Sequence, residues 1–190
     1  MELSVKAYLG LLFVVALLRI YELQISRRHQ REMVEHGASK VPDPIFRPMV
    51  LLHTCVLIGA ALEVVFLHRP FYPVLAAICF AIFVAANVVR WWVIRTLGEH
   101  WNVEVMNSTG IGVITTGPFR YVRHPNYAAV FVEMLVLPLI HCAWLTAGIG
   151  STAHILVLSR RISTEERVLF SDAQYREAMN GKPRFLPGLF

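Results

Sequence analysis

Residues 128–158, AAVFVEMLVLPLIHCAWLTAGIGSTAHILVL, decide the fold. This run of 31 residues carries one charged side chain, Glu133. As one straight helix it would extend roughly 46 Å, well beyond the ~30 Å of a hydrocarbon core. Pro138 removes a backbone N–H near its middle, and His141-Cys142-Ala143 follow, so a break is expected there. Two readings fit: a helical hairpin of short spans, 128–140 and 144–158, or one kinked, strongly tilted span.

Charge on either side chooses between them. Three further apolar runs, 5–23, 49–67 and 74–94, are each long enough to cross a bilayer. Residues 19–47 hold six Lys/Arg, residues 90–123 hold four, and residues 160–184 hold six, leaving only Lys6 and Arg69 elsewhere. The positive-inside rule places all three basic segments in the cytosol. An even number of crossings must then separate Arg123 from Arg160, which selects the hairpin. The expectation is an all-α integral membrane protein, residues 1–190 forming one domain. It has five transmembrane helices, an outer N-terminus and a cytosolic C-terminus.

Composition agrees. The chain is 56% hydrophobic with a mean hydropathy of +0.53, high for a soluble domain of 190 residues. Its net charge of +5 is scattered between apolar runs, which suits anionic lipid and not nucleic acid. Cys55, Cys79 and Cys142 form no CxxC pair or ligand cluster and read as small buried hydrophobes. No A-x-A site follows the first apolar run, so it reads as a retained span.

Chemistry-bearing residues gather in two segments, 98–127 and 159–187. In the first, TTGPFRYVRHPNY (115–127), Gly117-Pro118 marks a turn and Pro125 fits the first position of a helix. The free N–H groups of that helix start favour an anion such as a carboxylate. The bland alternative is a loop whose arginines meet lipid headgroups. In the second, RRISTEERVL (160–169), Arg161 and Glu165 share a helix face; the bland alternative is a surface ion pair worth a few tenths of a kcal/mol. Residues 159–180 read as a cytosolic helix resting on the membrane domain, ended by Gly181 and Pro183, with Phe185-Leu186-Pro187 as an apolar anchor.

RYVRHPNY, a hydrophobic hairpin, then RISTEERVL with Tyr175 and Pro183 together resemble the isoprenylcysteine carboxyl methyltransferase family, over residues 91–190. The resemblance implies S-adenosylmethionine bound at the cytosolic face, between the loop before the hairpin and the C-terminal helix. It implies cofactor contacts from Gly117, Tyr121, Arg123, His124, Pro125, Asn126, Tyr127, Glu165 and Glu166. It implies a functional Arg161 directed at the methyl acceptor, and no metal. A carboxylate and aromatic faces suit a sulfonium cation. The segment 128–133 departs from the family's eukaryotic members. With Leu97-Gly98, Trp101-Asn102 and an early His53, it is similar to a bacterial branch that O-methylates long-chain alkylpyrones and alkylresorcinols. That implies a bacterial inner membrane and a type III polyketide synthase as functional partner.

Glu133 falls roughly 12 Å into the hairpin, where it is a candidate base for a phenolic acceptor or a structural partner of Arg90, Arg95 or His53. Glu63 reads as structural, near the outer face. Trp91, Trp92 and Trp101 read as an interfacial belt, Trp101 alternatively as a cofactor contact. Three other functions remain open. Membrane sterol reductases carry a similar RHPNY segment and bind NADPH, although Glu165-Glu166 is a poor neighbour for a 2′-phosphate. A phospholipid N-methyltransferase and a non-enzymatic lipid-binding protein are the others.

Overall fold

Backbone polar groups in an apolar run can be satisfied within a helix, and the apolar runs are helical. In the computed structural model, which describes residues 2–107 and 112–185, α1 is Leu3–Glu35, α2 Phe46–Phe66 and α3 Pro73–Leu97. α4 is Pro125–Leu139, α5 Trp144–Leu169 and α6 Ala173–Met179. Three helices, α1, α2 and Pro73–His100, are long and apolar enough to cross a membrane, and α4 is a shorter apolar helix. Their outer faces carry large exposed apolar side chains, among them Phe13, Ile58, Ile78 and Phe80, as a lipid solvent requires.

Local chemistry sets the ends. α1 stops at His36 and Gly37, where Gly37 takes φ +95° and the Ala38 N–H bonds back to the Met33 carbonyl. Pro73 and Pro125 occupy first-turn positions of α3 and α4. Pro138 sits in the last turn of α4, and residues 140–143 turn the chain into α5. Glu63 of α2 caps that new helix, accepting from Leu145 N (3.1 Å), Thr146 N (2.7 Å) and Thr146 Oγ1 (2.7 Å), while Arg69 holds its Oε1 at 2.9 Å.

α4 packs against α3 and α5, α5 also against α2, and α2 against α1. The core between them includes Tyr8, Leu12, Val64, Phe83, Val136 and Ile140. A two-residue antiparallel ladder, β1 (Ser39–Lys40) with β2 (Met106–Asn107), ties the α1–α2 connection to the segment after α3.

Two expectations change. Residues 159–180 are not one separate helix: α5 continues through Ser159 to Leu169, and only the short α6 follows a turn at residues 170–172. Cys55 is exposed on α2, whereas Cys79 and Cys142 are buried. Within the Phe185-Leu186-Pro187 anchor, Leu186 and Pro187 lie outside the described residues.

Candidate active site

The stretch between α3 and α4 is shaped by two residues. Gly117 adopts φ +56°, and a Cβ there would lie 2.6 Å from Thr96 Oγ1, so the turn is pressed directly onto α3. His124, with φ −125°, leaves the helix to start at Pro125. The tail then straps this turn. Arg123 N donates to the Pro183 carbonyl and His124 N to the Arg184 carbonyl, each at 2.9 Å, and Lys182 Nζ donates to the Phe119 carbonyl at 2.8 Å.

Glu166 of α5 fastens the strap. It lies 3.1 Å from His124 Nε2 and 3.2 Å from Arg123, and accepts from Arg184 NH2 at 2.6 Å. Burial pushes its carboxyl up, but the bonds from His124 and Arg184 and the Arg123 charge outweigh that and hold it at about 2. Nearby Tyr175 is pushed up by burial and by Glu165.

Above the strap, a cavity of about 450 Å³ opens among all the helices, within the ~300–1,000 Å³ typical of small-molecule sites. One end is polar and aromatic: Trp101, Asn102, His124, Asn126, Tyr127, Glu165 and Tyr175. The other carries apolar Ile20, Leu23, Met49, Val50, Leu57 and Val130, with His53, His154, Thr54 and the mutually paired Arg19, Glu22 and Arg90. Arg161 stands between. Its NH1 pairs with Asp43, its NH2 donates to the Val103 carbonyl at 2.6 Å, and its Nε donates to Tyr127 Oη at 3.1 Å. Tyr127 in turn donates to Glu165. Arg161 is thus bonded to Asp43 instead of forming a surface pair with Glu165.

The loop after α3 is held from several sides. Ser26 Oγ accepts from Val103 N (2.9 Å), His29 Nδ1 lies 2.8 Å from the Trp101 carbonyl, and Val41 N donates to Val105 O (3.0 Å). Trp101 is 1% exposed, so it belongs to the cavity wall and not to an interfacial belt.

Of the residues singled out in the sequence, Arg123, His124, Pro125, Asn126, Tyr127, Arg161 and Glu165 line this cavity. Glu166 is one contact behind, on His124. Gly117 packs on Thr96 and Tyr121 is 56% exposed; neither lines the cavity. Glu133 borders a separate space of about 40 Å³ and accepts from Arg19 NH2 at 3.1 Å. His53, His154, Tyr175 and Met179 join the wall from distant parts of the chain, and Asp43 stands behind it on Arg161. The available signals were weak: one of four acids in a basic segment for Asp43, and isolated histidines in apolar runs.

Trp101 Nε1, Asn126 Oδ1 and Arg123 Nε are buried without a hydrogen-bond partner among the described residues. They supply two donors and an acceptor at the polar end. With the Glu165 carboxylate and the aromatic rings, this donor set fits a ligand that is cationic, aromatic and carboxylate-bearing at once. No group of three or more metal-ligating side chains occurs among the described residues.

Comparison with known proteins gives the same direction. The model of the isoprenylcysteine carboxyl methyltransferase (ICMT) family matches residues 77–171, half of the chain. The chain is 25% identical over 159 residues to the uncharacterized protein YpbQ of Bacillus subtilis, covering 84% of this chain and 94% of that one. It is 29% identical over 153 residues to an uncharacterized protein of Haemophilus influenzae, covering 80% and 88%. The fold matches a solved structure of the eukaryotic intramembrane Ras methyltransferase ICMT with a TM-score of 0.61 at 20% identity. The match covers 87% of this chain and 62% of that one.

Proposed function

The chain belongs to the isoprenylcysteine carboxyl methyltransferase family, and from that premise we propose that it is a membrane methyltransferase using S-adenosylmethionine to O-methylate a lipophilic acceptor. One observation carries the reading. A single cavity has a polar, aromatic end at Tyr127 and Glu165, an apolar end between α1, α2 and α5, and Arg161 at the junction. That is the division needed by an enzyme joining a water-soluble donor to a lipid.

The cofactor, when bound, supplies an electrophilic methyl on a sulfonium. The chain's own groups do the rest. Glu165 offers a negative charge and Trp101, Tyr127 and Tyr175 offer ring faces to a cation. The start of α4 and Arg123 suit a carboxylate. Arg161, fixed by Asp43, Val103 and Tyr127, orients an acceptor oxygen toward the polar end. The strap over His124 keeps water from the polar end. A carboxylate acceptor is already ionised at neutral pH and needs no base; a phenol, with a pKa near 10, would need one, and Glu133 would serve only by leaving Arg19 and the separate space it borders.

The finer reading takes the acceptor as a long-chain alkylpyrone or alkylresorcinol, or an isoprenylcysteine-like carboxylate. The protein would sit in a bacterial inner membrane with a cytosolic C-terminus, and a type III polyketide synthase would supply a pyrone or resorcinol. The test is calorimetric titration of the purified protein with S-adenosylmethionine and with NADPH, plus mass spectrometry of lipids from cells with and without it. Binding of the first cofactor and a lipid 14 Da heavier are expected, 14 Da being one methylene. Binding of NADPH alone would replace this reading with a reductase.

A further inference from the structure

Two histidines in the apolar end of the cavity have no task in the scheme above. His53 comes from α2 and His154 from α5, with ring centroids 5.3 Å apart and planes tilted by 35°. Both line the large cavity. His154 is 1% exposed, and Phe131 stacks on it at 6.2 Å. His154 Nδ1 and Nε2 and His53 Nε2 are buried without a hydrogen-bond partner among the described residues. A buried polar group left unpaired costs about 1–3 kcal/mol, so three on facing rings call for a function.

The surroundings define what they would bind. Apolar Met49, Val50, Leu57 and Val130 line this part of the cavity, together with Thr54 and the Arg19, Glu22 and Arg90 side chains. The charged side chains at this depth are already spoken for: Glu22 by Arg19 and Arg90, and Glu133 by Arg19. Among the described residues, an incoming carboxylate would find no unpaired cation at this depth. A hydroxyl or carbonyl needs none, and a pair of imidazoles offers it both donor and acceptor nitrogens. His154 precedes Arg161 by seven residues, two turns along the same face of α5, so this subsite opens into the same space as Arg161 but deeper.

We propose that His53 and His154 form a polar subsite that hydrogen-bonds a neutral oxygen of the lipidic acceptor. This rests on the reading that the acceptor occupies the apolar end. It makes the acceptor a lipid with an uncharged hydroxyl or carbonyl besides the oxygen that is methylated, rather than a plain hydrocarbon chain ending in one reactive group.

The test uses three probes of one chain length: pentadecylbenzene, 3-pentadecylphenol and 5-pentadecylresorcinol. Each is titrated into the full chain in nanodiscs, reading Trp fluorescence. Wild type should bind the resorcinol about tenfold or more tighter than the hydrocarbon. His53→Phe and His154→Phe should bind the hydrocarbon as before but prefer the resorcinol less than threefold. His154→Gln, which keeps a donor and an acceptor, should restore part of the preference. Retained hydrocarbon binding certifies that a variant is folded; if His154→Phe is not, His53→Phe and His154→Gln decide. An undiminished preference in the folded variants, or none in wild type, overturns the proposal. S-adenosylmethionine is titrated into the same samples. Its failure to bind wild type would sink the methyltransferase reading while leaving the subsite result to stand or fall on the lipid probes.

Discussion

Arg161 is held by an acid, a carbonyl and a phenol from three other parts of the chain, a fork that only a guanidinium fills. Lysine keeps the charge and loses the fork. Arg161→Lys is expected to lower methyl transfer about a hundredfold or more while the melting temperature stays within a few degrees, read by transfer of labelled methyl to lipid. Wild-type turnover in that variant would remove the assignment. Glu166 gives a second prediction. Its folded pKa is about 2 against an ordinary 4.5. Its stabilisation is therefore full above 4.5 and lost as pH falls from there toward 2. Melting in detergent at pH 6 and pH 3 should show a drop in wild type. The drop should be smaller in Glu166→Gln, which starts lower at pH 6. Arg161, Glu165 and residues 123–127 were legible because helical spacing and a proline place them relative to one another. Asp43 was not, and His53 and Trp101 stood out without a fixed place, since each meets its partners across more than seventy residues and no local pattern records that.

Among the elements, α5 shows where reading by hydropathy fails. Polarity changes at Ser159, and the sequence there reads as a new helix; yet α5 runs on to Leu169. No Gly or Pro occurs between Ser151 and Leu169, so nothing in the backbone marks the change of solvent. The real break comes at residues 170–172, where Asp172 accepts from Gln174 N at 2.7 Å and starts α6. The turn before α4 depends on contact between elements. Gly117→Ala would bring a methyl against Thr96 at a positive φ. It is expected to cost about 1–3 kcal/mol, measured by chemical denaturation. Adding Thr96→Ala should recover only part, because the φ strain stays.

Across the whole molecule, helices that face lipid outside share an ionic centre inside. Arg90 of α3 grips Glu22 of α1 through Nε (3.0 Å) and NH2 (2.6 Å), Arg19 lies 2.7 Å from Glu22, and Glu133 of α4 completes the set at 3.1 Å from Arg19. Removing one member strands a buried charge. Arg90→Met is expected to destabilise by about 3–5 kcal/mol, seen as a lower detergent melting temperature.

That arithmetic also bears on how the chain is made. α1 and α3 leave the ribosome with two guanidiniums and one carboxylate; the balancing acid arrives only with α4. A nascent chain released after residue 107 would hold an excess cation inside an apolar span, an unfavourable placement that a partner carboxylate relieves. Such chains should slip back from the translocon more often than chains released after residue 143. Glu133→Gln in the longer chain should erase the difference, as glycosylation tags on either side of α3 would record.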